Sequence, residues 1–231
     1  MNLFDKYKDY QTTEVEGLGR GYGTAENPWQ YVGVTTVLHE VLRNKYENKD
    51  TTNRDKAADE GSTVHTLFAE SLTGGSPEIP EKYLGVIQAF NQWVSVKKVK
   101  PLFSEVKAVS EQYGFAGQID FIGEVNGKVT VVDWKTGFEY DNKWGLQVAA
   151  YHLLVCEIMQ IAPKDLNFGI LHIPLRSPKS FKWLPFQHYD WLQRGFLACL
   201  ELYKHQPRFT QLKKMNWPYL FKPAIEGAKR G

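Results

Sequence analysis

The fold is decided by two stretches of sequence, Phe115-Ala116-Gly117-Gln118-Ile119-Asp120-Phe121-Ile122 and Val129-Thr130-Val131-Val132-Asp133-Trp134-Lys135-Thr136-Gly137. Both are rich in β-branched and aromatic residues, which favour strands. The Asn126-Gly127 pair between them supplies the positive φ angles of a tight hairpin turn. Each of these two stretches carries one carboxylate, Asp120 or Asp133, and a hairpin can bring the two to one end of a sheet.

The residues after the second carboxylate indicate what chemistry this end of the hairpin could perform. Lys135 lies two residues after Asp133 on the same strand face, so both side chains can point at one spot. Two carboxylates suit Mg²⁺ or Mn²⁺, and a neighbouring ammonium can activate water or stabilise charge on a phosphate. The pattern predicts a metal-dependent phosphodiesterase. The alternative is a solvated strand end, because Asp-x-Lys alone is common.

Two predicted helices add side chains to this set. Residues 146–155 form an apolar helical pattern in which Gln147 and Tyr151, one turn apart, share a face. Residues 55–72 form an amphipathic pattern whose apolar stripe includes Gly61 and His65. A lone histidine in such a stripe is more often a core residue than a ligand. The two carboxylates nearby in the predicted site favour a ligand role for His65.

Taken in order, these residues resemble the RecB-like branch of the PD-(D/E)XK nuclease superfamily. Within that branch the chain is most similar to the mitochondrial genome maintenance exonuclease group, whose members carry a similar Asp-Trp-Lys-Thr followed by Leu-Gln-Val-x-Ala-Tyr. A weaker likeness at residues 34–38 extends the resemblance over residues 33–155. The matching elements are Gly61-x-x-x-His65, Gly117-x-x-Asp120, Asp133-x-Lys135-Thr136 and Gln147-x-x-x-Tyr151.

The resemblance implies a role for each matching residue. Lys135 would be the catalytic lysine, and Gln147 and Tyr151 would shape the site and help to hold Lys135 or the DNA strand. The implied metal ligands are His65, Asp120, Asp133 and the backbone carbonyl of Trp134. Mn²⁺ accepts a nitrogen ligand more readily than Mg²⁺, so manganese should support activity at least as well as magnesium.

One position of the family pattern is not settled by spacing. Many members place a glutamate on the strand before the first metal-binding aspartate, and here Glu105 and Glu111 both compete for that position. We take Glu105 as a residue that would support the metal ligands from behind. The alternative is an ordinary exposed charge on a strand.

Composition is typical of a compact enzyme. A chain of 231 residues with 42% apolar residues can form one large α/β domain. No apolar run is long enough to span a membrane, and the early acidic residues argue against a mitochondrial presequence. We therefore expect a cytoplasmic protein of a bacterium, or of a bacteriophage in its bacterial host.

The two cysteines, Cys156 and Cys199, are too few for the four-cysteine iron–sulfur cluster that some RecB-like nucleases hold. We therefore expect no iron–sulfur cluster. Both cysteines lie in apolar helical patterns, which predicts buried free thiols.

Basic residues are concentrated at the C-terminal end. Residues 201–231 carry seven Lys or Arg against two Glu, a net charge of +5, which leaves −3 for the preceding 200 residues. Such a segment can contact DNA phosphates, from which nucleic-acid affinity largely comes. The alternative is a solvated terminus. The candidate DNA contacts here are Lys204, Arg208, Lys213 and Lys214.

The order of predicted elements gives a small mixed β-sheet flanked by helices, a restriction-endonuclease-like α/β core with an added helical lobe. Residues 1–231 are expected to form one nuclease domain: a helical N-terminal part over 33–100, a nuclease core over 101–203 and a basic C-terminal segment over 204–231. The glycine run at residues 17–23 is expected in a flexible turn region, with Arg20, Tyr22 and Trp29 as substrate contacts. Predicted strands cover residues 103–109, 117–125, 128–133, 168–174 and 182–186, and predicted helices cover 35–45, 55–72, 81–96, 146–155 and 189–203.

The leading hypothesis is a metal-dependent exonuclease on single-stranded or end-frayed DNA, acting in replication, recombination or repair. A helical lobe over the site would admit single strands and let aromatic side chains stack on bases. Candidates for stacking are Tyr46, Trp93, Tyr140 and Trp144, although most large aromatics serve the core. The alternatives are a double-strand exonuclease of the phage recombination type, an endonuclease and a catalytically silent DNA-binding module. No protein partner, such as a single-strand-binding or recombination protein, can be identified.

Overall fold

A computed structural model describes residues 2–15, 19–42, 52–75, 77–137, 140–141, 143–176, 178 and 180–214, with side chains undescribed in residues 52–57 and 206–214. This part of the chain forms eight strands and five α-helices, which confirms the α/β fold class. The strands are β1 (Gln11–Val15), β2 (Gly19–Gly23), β3 (Tyr31–Gly33), β4 (Lys100–Ser110), β5 (Phe115–Val125), β6 (Lys128–Lys135), β7 (Asn167–His172) and β8 (Lys182–Phe186). The helices are α1 (Val34–Val41), α2 (Thr52–Leu72), α3 (Leu84–Val96), α4 (Lys143–Met159) and α5 (Tyr189–Lys214).

Strand β5 is the centre of the sheet. One of its edges pairs antiparallel with β4, from Phe115 opposite Ser110 to Glu124 opposite Lys100. Its other edge is shared, because β3 pairs in parallel with residues 115–116 and β6 pairs antiparallel with residues 121–125. Within the described residues, positions 117–120 of β5 pair with no strand on this edge, so the sheet has a gap between β3 and β6.

The remaining strands extend the sheet in both directions from this gap. On one side, β3 pairs with β2 and β2 with β1, both antiparallel. On the other side, β6 pairs in parallel with β7, and β7 pairs antiparallel with β8. Two neighbouring parallel strands need a crossover connection, and α4 lies in the connection between β6 and β7.

Helices cover the two faces of the sheet with separate apolar clusters. Helices α1, α4 and α5 pack on one face, where Leu154 and Phe196 meet Ile119. Helices α2 and α3 pack on the other face, where Phe68 and Phe90 stack at 4.0 Å and both meet the buried ring of Trp134. The side chain of Trp93, a candidate for base stacking, is fully buried in this second cluster.

The N-terminal region differs from the predicted flexible turn, because it forms strands β1 to β3 and lengthens the sheet. The glycines allow close packing instead of a loose loop. A β-carbon on Gly21 would lie 2.4 Å from the ring of Trp29, whose Nε1 donates a 3.1 Å hydrogen bond to the Gly19 carbonyl. The Thr36 hydroxyl accepts from the backbone N–H of Arg20 and donates to its carbonyl.

The other predicted elements are present with shifted ends. Helix α1 ends at Val41, α4 begins at Lys143, and the backbone of α5 continues as a helix to Lys214. Residues 43–51, which include Tyr46, lie outside the described residues, as does the basic segment beyond residue 214. No helix in the described part of the chain has the length and hydropathy that crossing a membrane requires.

Both cysteines are free and buried, as predicted. Burial raises the pKa of the Cys156 thiol to about 12 and also raises the pKa of Cys199. The thiolate is the reactive form of cysteine, so both side chains are suited to packing and not to nucleophilic chemistry.

His152 on α4 is a buried histidine whose two ring nitrogens both have partners. Nε2 lies 2.9 Å from the carbonyl oxygen of Leu166, and Nδ1 lies 2.9 Å from Nε2 of Gln193. The carbonyl can only accept and the amide NH₂ can only donate, so these contacts assign the neutral ring with its proton on Nε2. Burial lowers the pKa of His152 below its usual 6.5.

We expect this histidine to make folding stability depend on pH. Its pKa is lower in the folded state than in the unfolded state, so the unfolded state binds the proton more readily, and stability should fall below about pH 6.5. His152→Phe should be less stable at pH 8 but lose less stability between pH 8 and pH 5.5. Urea unfolding at both values measures this, with the exposed His188→Gln as control. An unchanged pH dependence in His152→Phe would contradict the assignment.

Candidate active site

The gap between β3 and β6 opens into a cavity of about 490 Å³ in which polar side chains from both faces of the sheet meet. Helix α2 borders it from one face and α4 from the other. Polar residues that line the cavity are Arg20, Tyr22, Thr35, Ser62, His65, Thr66, Glu105, Gln118, Asp120, Asp133, Lys135, Thr136, Gln147 and Tyr151.

The regular alternation of side chains between the two faces of the sheet is interrupted in β4 and β5 where these strands border the cavity. On β5, Ile119 and Ile122 are three residues apart yet join the same core cluster, so the regular alternation of a strand is interrupted between them. On β4, Phe103 and Val106 are also three residues apart and both pack against this cluster. Glu105, between them, has a φ of +52°, a left-handed conformation that costs a non-glycine residue about 1–3 kcal/mol. This interruption lies beside Asp120, because the flanking residues of the two strands pair.

One group of metal-ligand types forms at this interruption. A nitrogen of His65 and carboxylate oxygens of Glu105 and Asp120 all lie within 4.8 Å of one another. Asp120 Oδ1 is 3.4 Å from His65 Nδ1, and its Oδ2 accepts a 2.6 Å hydrogen bond from the backbone N–H of Trp134. Glu105 Oε2 accepts a 2.5 Å hydrogen bond from Gln118 Nε2. These bonds hold the carboxylates in place from behind.

The remaining oxygen of Glu105 indicates that the group is incomplete without a ligand. Among the described residues, no donor hydrogen bonds to Glu105 Oε1, although the atom is buried. A buried oxygen without a partner costs folding free energy unless something else satisfies it. Mn²⁺ accepts both carboxylate oxygens and an imidazole nitrogen as ligands. Mg²⁺ prefers oxygen ligands, which the two carboxylates of this group supply. The residues present therefore fit a divalent cation.

The acidic groups of the site disturb one another's protonation. Burial raises the pKa of Glu105, and the neighbouring charge of Asp120 raises it further. Burial raises the pKa of Asp133 to about 6, although Lys135 opposes this rise. Burial acts to lower the pKa of His65, but the carboxylate of Asp120 outweighs it and the pKa is raised. A bound cation would offset this crowding of negative charge.

A second group joins Asp133 and Lys135 to helix α4. Lys135 Nζ lies 2.8 Å from Asp133 Oδ2 and donates a 2.9 Å hydrogen bond to Gln147 Oε1. Gln147 Nε2 donates to Asp133 Oδ1 at 3.0 Å and to the hydroxyl of Tyr151 at 3.1 Å. Gln147 thus fixes the positions of both charged side chains. Burial raises the pKa of Tyr151 well above its usual value, which keeps the hydroxyl that Gln147 contacts neutral.

The structure brings the predicted site residues into one cavity but groups them differently from the ligand set that the resemblance implies. Glu105 lies with His65 and Asp120, with one potential ligand atom of each within 4.8 Å of the others. Asp133 bonds instead to Lys135 and Gln147. Glu111, the competing glutamate, is exposed. The individual roles, including that of the Trp134 carbonyl, remain predictions.

Sequence reasoning missed some residues of the cavity and anticipated others. Of the three residues expected to contact substrate, Arg20 and Tyr22 line the cavity and Trp29 does not. Gln118, which holds Glu105, was missed. Its position two residues before Asp120 on one strand was the available signal, because such residues share a strand face. Thr35, at the start of α1, was also missed.

The basic candidates lie outside this cavity as far as their side chains are described. Lys204 Nζ donates a hydrogen bond to the Tyr113 carbonyl at 2.9 Å and pairs with Glu201 at 3.3 Å. It therefore already has partners on its own protein. The backbone at Arg208, Lys213 and Lys214 continues α5, but their side chains are outside the described atoms.

The glycine of the Gly117-x-x-Asp120 motif has a steric explanation. A β-carbon at position 117 would lie 2.6 Å from Cε1 of Tyr151. The ring of Tyr151 thus rests on the bare backbone of β5, and this contact sets the position of the hydroxyl that bonds Gln147. Position 117 is therefore part of the support for Gln147 and, through it, for Lys135.

Gly117→Ala should displace Tyr151 and disturb this support. We expect a loss of about 1–3 kcal/mol of stability from overpacking and roughly a tenfold slower cleavage from misplacement of the site. Thermal unfolding and a nuclease assay measure the two effects. Gly117→Ala combined with Tyr151→Leu should recover stability but not activity. Full activity in the single variant would show that the ring position is unimportant.

A family model described as the PD-(D/E)XK nuclease superfamily matches residues 10–212. The match includes the described strands and helices from β1 almost to the end of α5, and every polar residue of the cavity. No curated protein matches the chain.

Similar solved structures include a candidate exonuclease from Eubacterium rectale, at 16% sequence identity and a TM-score of 0.47, covering 84% of this chain and 87% of that one. The alkaline exonuclease LHK-Exo from Laribacter hongkongensis is 12% identical, with a TM-score of 0.38, covering 80% of this chain and 94% of that one. Its complex with dAMP gives 13% identity, a TM-score of 0.33 and the same coverage. Similarity at this level carries no argument about function.

Proposed function

We propose that this chain, which belongs to the PD-(D/E)XK nuclease superfamily, is a divalent-metal-dependent exonuclease that hydrolyses phosphodiester bonds of single-stranded or end-frayed DNA. The observation that carries the proposal is Glu105 Oε1, a buried oxygen with no hydrogen-bond partner among the described residues, beside His65 and Asp120 in the cavity that Lys135 also lines. We further propose a place in the RecB-like branch, near the mitochondrial genome maintenance exonuclease group.

His65, Glu105 and Asp120 would hold the cation, and Asp133 is a further carboxylate that lines the same cavity. When bound, a divalent ion supplies Lewis-acid chemistry to the scissile phosphate. The imidazole in the ligand set favours Mn²⁺ at least equally with Mg²⁺. The donor set contains no cysteine thiolate, so it does not suit an iron–sulfur cluster.

Lys135 is the residue best placed to act on the reacting atoms. Its ammonium lines the cavity, and its position is fixed by Asp133 and Gln147. A fixed cation can orient an attacking water and stabilise negative charge on the phosphate as it develops. Gln147, held in turn by Tyr151, keeps the amine in that position and adds no charge of its own.

A single strand with a free end suits the surroundings of the cavity. Helix α2 borders the cavity with Gly61, Ser62 and His65, and α4 borders it from the other face of the sheet. A site with a helix on each of two sides can take one strand more easily than a duplex. Arg20 offers a cation for a neighbouring phosphate, and the basic residues from Lys204 onward would capture the strand outside the cavity.

The test compares end-labelled DNA substrates with Mg²⁺, Mn²⁺ or EDTA. We expect degradation of linear single-stranded DNA, survival of a covalently closed single-stranded circle, and no activity in EDTA. Blunt duplex should resist, because opening each base step costs roughly 1–2 kcal/mol. Rapid cutting of the closed circle would show an endonuclease. Preference for blunt duplex would favour the double-strand exonuclease.

A role in replication, recombination or repair in a bacterial or phage-infected cytoplasm completes the proposal. A catalytically silent DNA-binding module is the candidate from another class. The complete set of Asp120, Asp133, Lys135 and Gln147 weighs against it, because Gln147 hydrogen bonds to both Lys135 and Asp133 and these two charged side chains form an ion pair.

A further inference from the structure

A second cavity of about 420 Å³ lies between the start of α4, strand β8 and the start of α5. We call it the aromatic groove. Its character is mainly apolar, with one carboxylate at its edge. Residues that define the groove are Tyr140, Asp141, Trp144, Leu184, Phe186 and Leu192.

The aromatic groove adjoins the active-site cavity through His172. Gly137 lines the active-site cavity, and its carbonyl accepts a 2.8 Å hydrogen bond from His172 Nε2. On its other side the His172 ring contacts Tyr140 and Trp144, with ring centroids 5.1 and 5.2 Å away. On α4, Trp144 lies one turn before Gln147. The two cavities are therefore neighbours, with the buried ring of His172 between them.

Tyr140 is unusual in exposing its ring. Among the residues whose side chains the structure describes, Tyr140 and Trp191 are the two exposed aromatics, at 51% and 67%. Trp191 borders a different cavity, formed with Leu146 and Arg194. The ring of Tyr140 leans on Trp144 at 5.1 Å, and Lys182 Nζ lies 5.7 Å from its centroid. An exposed aromatic ring with a cation over it thus lies beside the site.

We infer that the aromatic groove binds unpaired nucleobases of the DNA strand whose phosphates pass the active site, an inference that rests on the proposed function. A base offers a flat apolar face to the exposed ring of Tyr140, which packs on the buried ring of Trp144. Stacking of this kind is tolerant of sequence. Lys182, whose ammonium lies over the Tyr140 ring, can meet the adjoining phosphate instead. The carboxylate of Asp141 lines the groove, and its Oδ2 lies 3.9 Å from Lys143 Nζ. Its negative charge disfavours a phosphate inside the groove. Duplex DNA hides its base faces, so the groove selects unpaired strands.

The variants that test this inference change one exposed side chain. Tyr140→Ala removes the stacking surface, Tyr140→Phe retains it, and Trp191→Ala is the matched control, an equally exposed aromatic that does not line the groove. For linear single-stranded DNA in EDTA, where no strand is cut, Tyr140→Ala should bind about tenfold more weakly than wild type. Tyr140→Phe and Trp191→Ala should bind like wild type.

An abasic scan locates the base that occupies the groove. Oligonucleotides that each lack one base should show one position at which wild type loses about tenfold in affinity, and Tyr140→Ala should lose nothing further there. A 2-aminopurine at that position should be quenched by wild type and Tyr140→Phe but not by Tyr140→Ala.

The outcomes separate the two proposals. If wild type degrades linear single strands, but Tyr140→Ala keeps full affinity and the same abasic profile, the groove inference is overturned and the proposed function stands. An equal loss in Trp191→Ala also overturns it, because the effect is then not specific to the groove. A wild type that neither binds nor cuts DNA overturns both.

Discussion

Asp120→Asn should lower the cleavage rate by about 10³-fold or more, because loss of a charged metal ligand removes several kcal/mol of transition-state charge stabilisation. The folded structure should survive the change. The asparagine oxygen can still accept the hydrogen bond from the Trp134 backbone N–H, and its NH₂ can donate to His65 Nδ1 in the place of the present 3.4 Å contact. Cleavage of a labelled single strand in Mg²⁺ and Mn²⁺ measures the loss.

The matched control is Glu124→Gln, on the same strand as Asp120 but paired with Lys100 outside the cavity. It should cleave like wild type. Titration with Mn²⁺, followed by calorimetry, should show weaker binding in Asp120→Asn and unchanged binding in Glu124→Gln. Wild-type activity in Asp120→Asn would remove Asp120 from the site, and intact metal affinity with lost cleavage would make it a group that acts on the substrate.

The parts of the fold that depend on local chemistry were predictable. Asn126 and Gly127 have φ angles of +53° and +77°, as the tight hairpin turn requires. Gln147 and Tyr151 share a helix face because they are four residues apart, and their side chains form a hydrogen bond. In each case residues close in the sequence determine the geometry.

The ligand group was not predictable in the same way, because its geometry comes from strand pairing. Glu105 and Asp120 are brought together by the pairing of β4 with β5, and the left-handed backbone at Glu105 breaks the alternation that sequence patterns rely on. Neither effect appears in spacing along the chain. In the sequence, position 105 therefore looked the same as an exposed strand charge would.

The N-terminal strands were missed for a related reason. Their glycines resemble a turn when only composition is considered. Their role depends on Trp29 and Thr36, which pack against the glycine backbone from later in the chain. The consequence for function is direct, since β3 forms one side of the gap into which the site opens and β2 places Arg20 there.

The position of Lys135 beside the gap in the sheet explains its contacts with Asp133 and Gln147. Asp133 and Lys135 contact α4, whereas Asp120 contacts His65 of α2 on the opposite face. The gap is the place where side chains from the two faces meet. If the Lys135 side chain could rotate freely, its ammonium could leave the cavity that holds His65, Glu105 and Asp120. The hydrogen bond from Lys135 to Gln147 of α4 restrains that rotation.

Lys135→Ala should lower the maximal rate by about 10²-fold or more, with little change in DNA affinity, because it removes a cation that acts on the developing charge. The change also leaves buried Asp133 without its ion pair, so stability should fall, and thermal unfolding must show that the variant is folded at the assay temperature. Lys128→Ala, at the exposed opposite end of β6, is the control and should behave like wild type. Single-turnover cleavage at saturating DNA separates rate from binding. A variant that loses affinity but keeps its rate would make Lys135 a phosphate anchor, and the catalytic assignment would then pass to another group in the cavity.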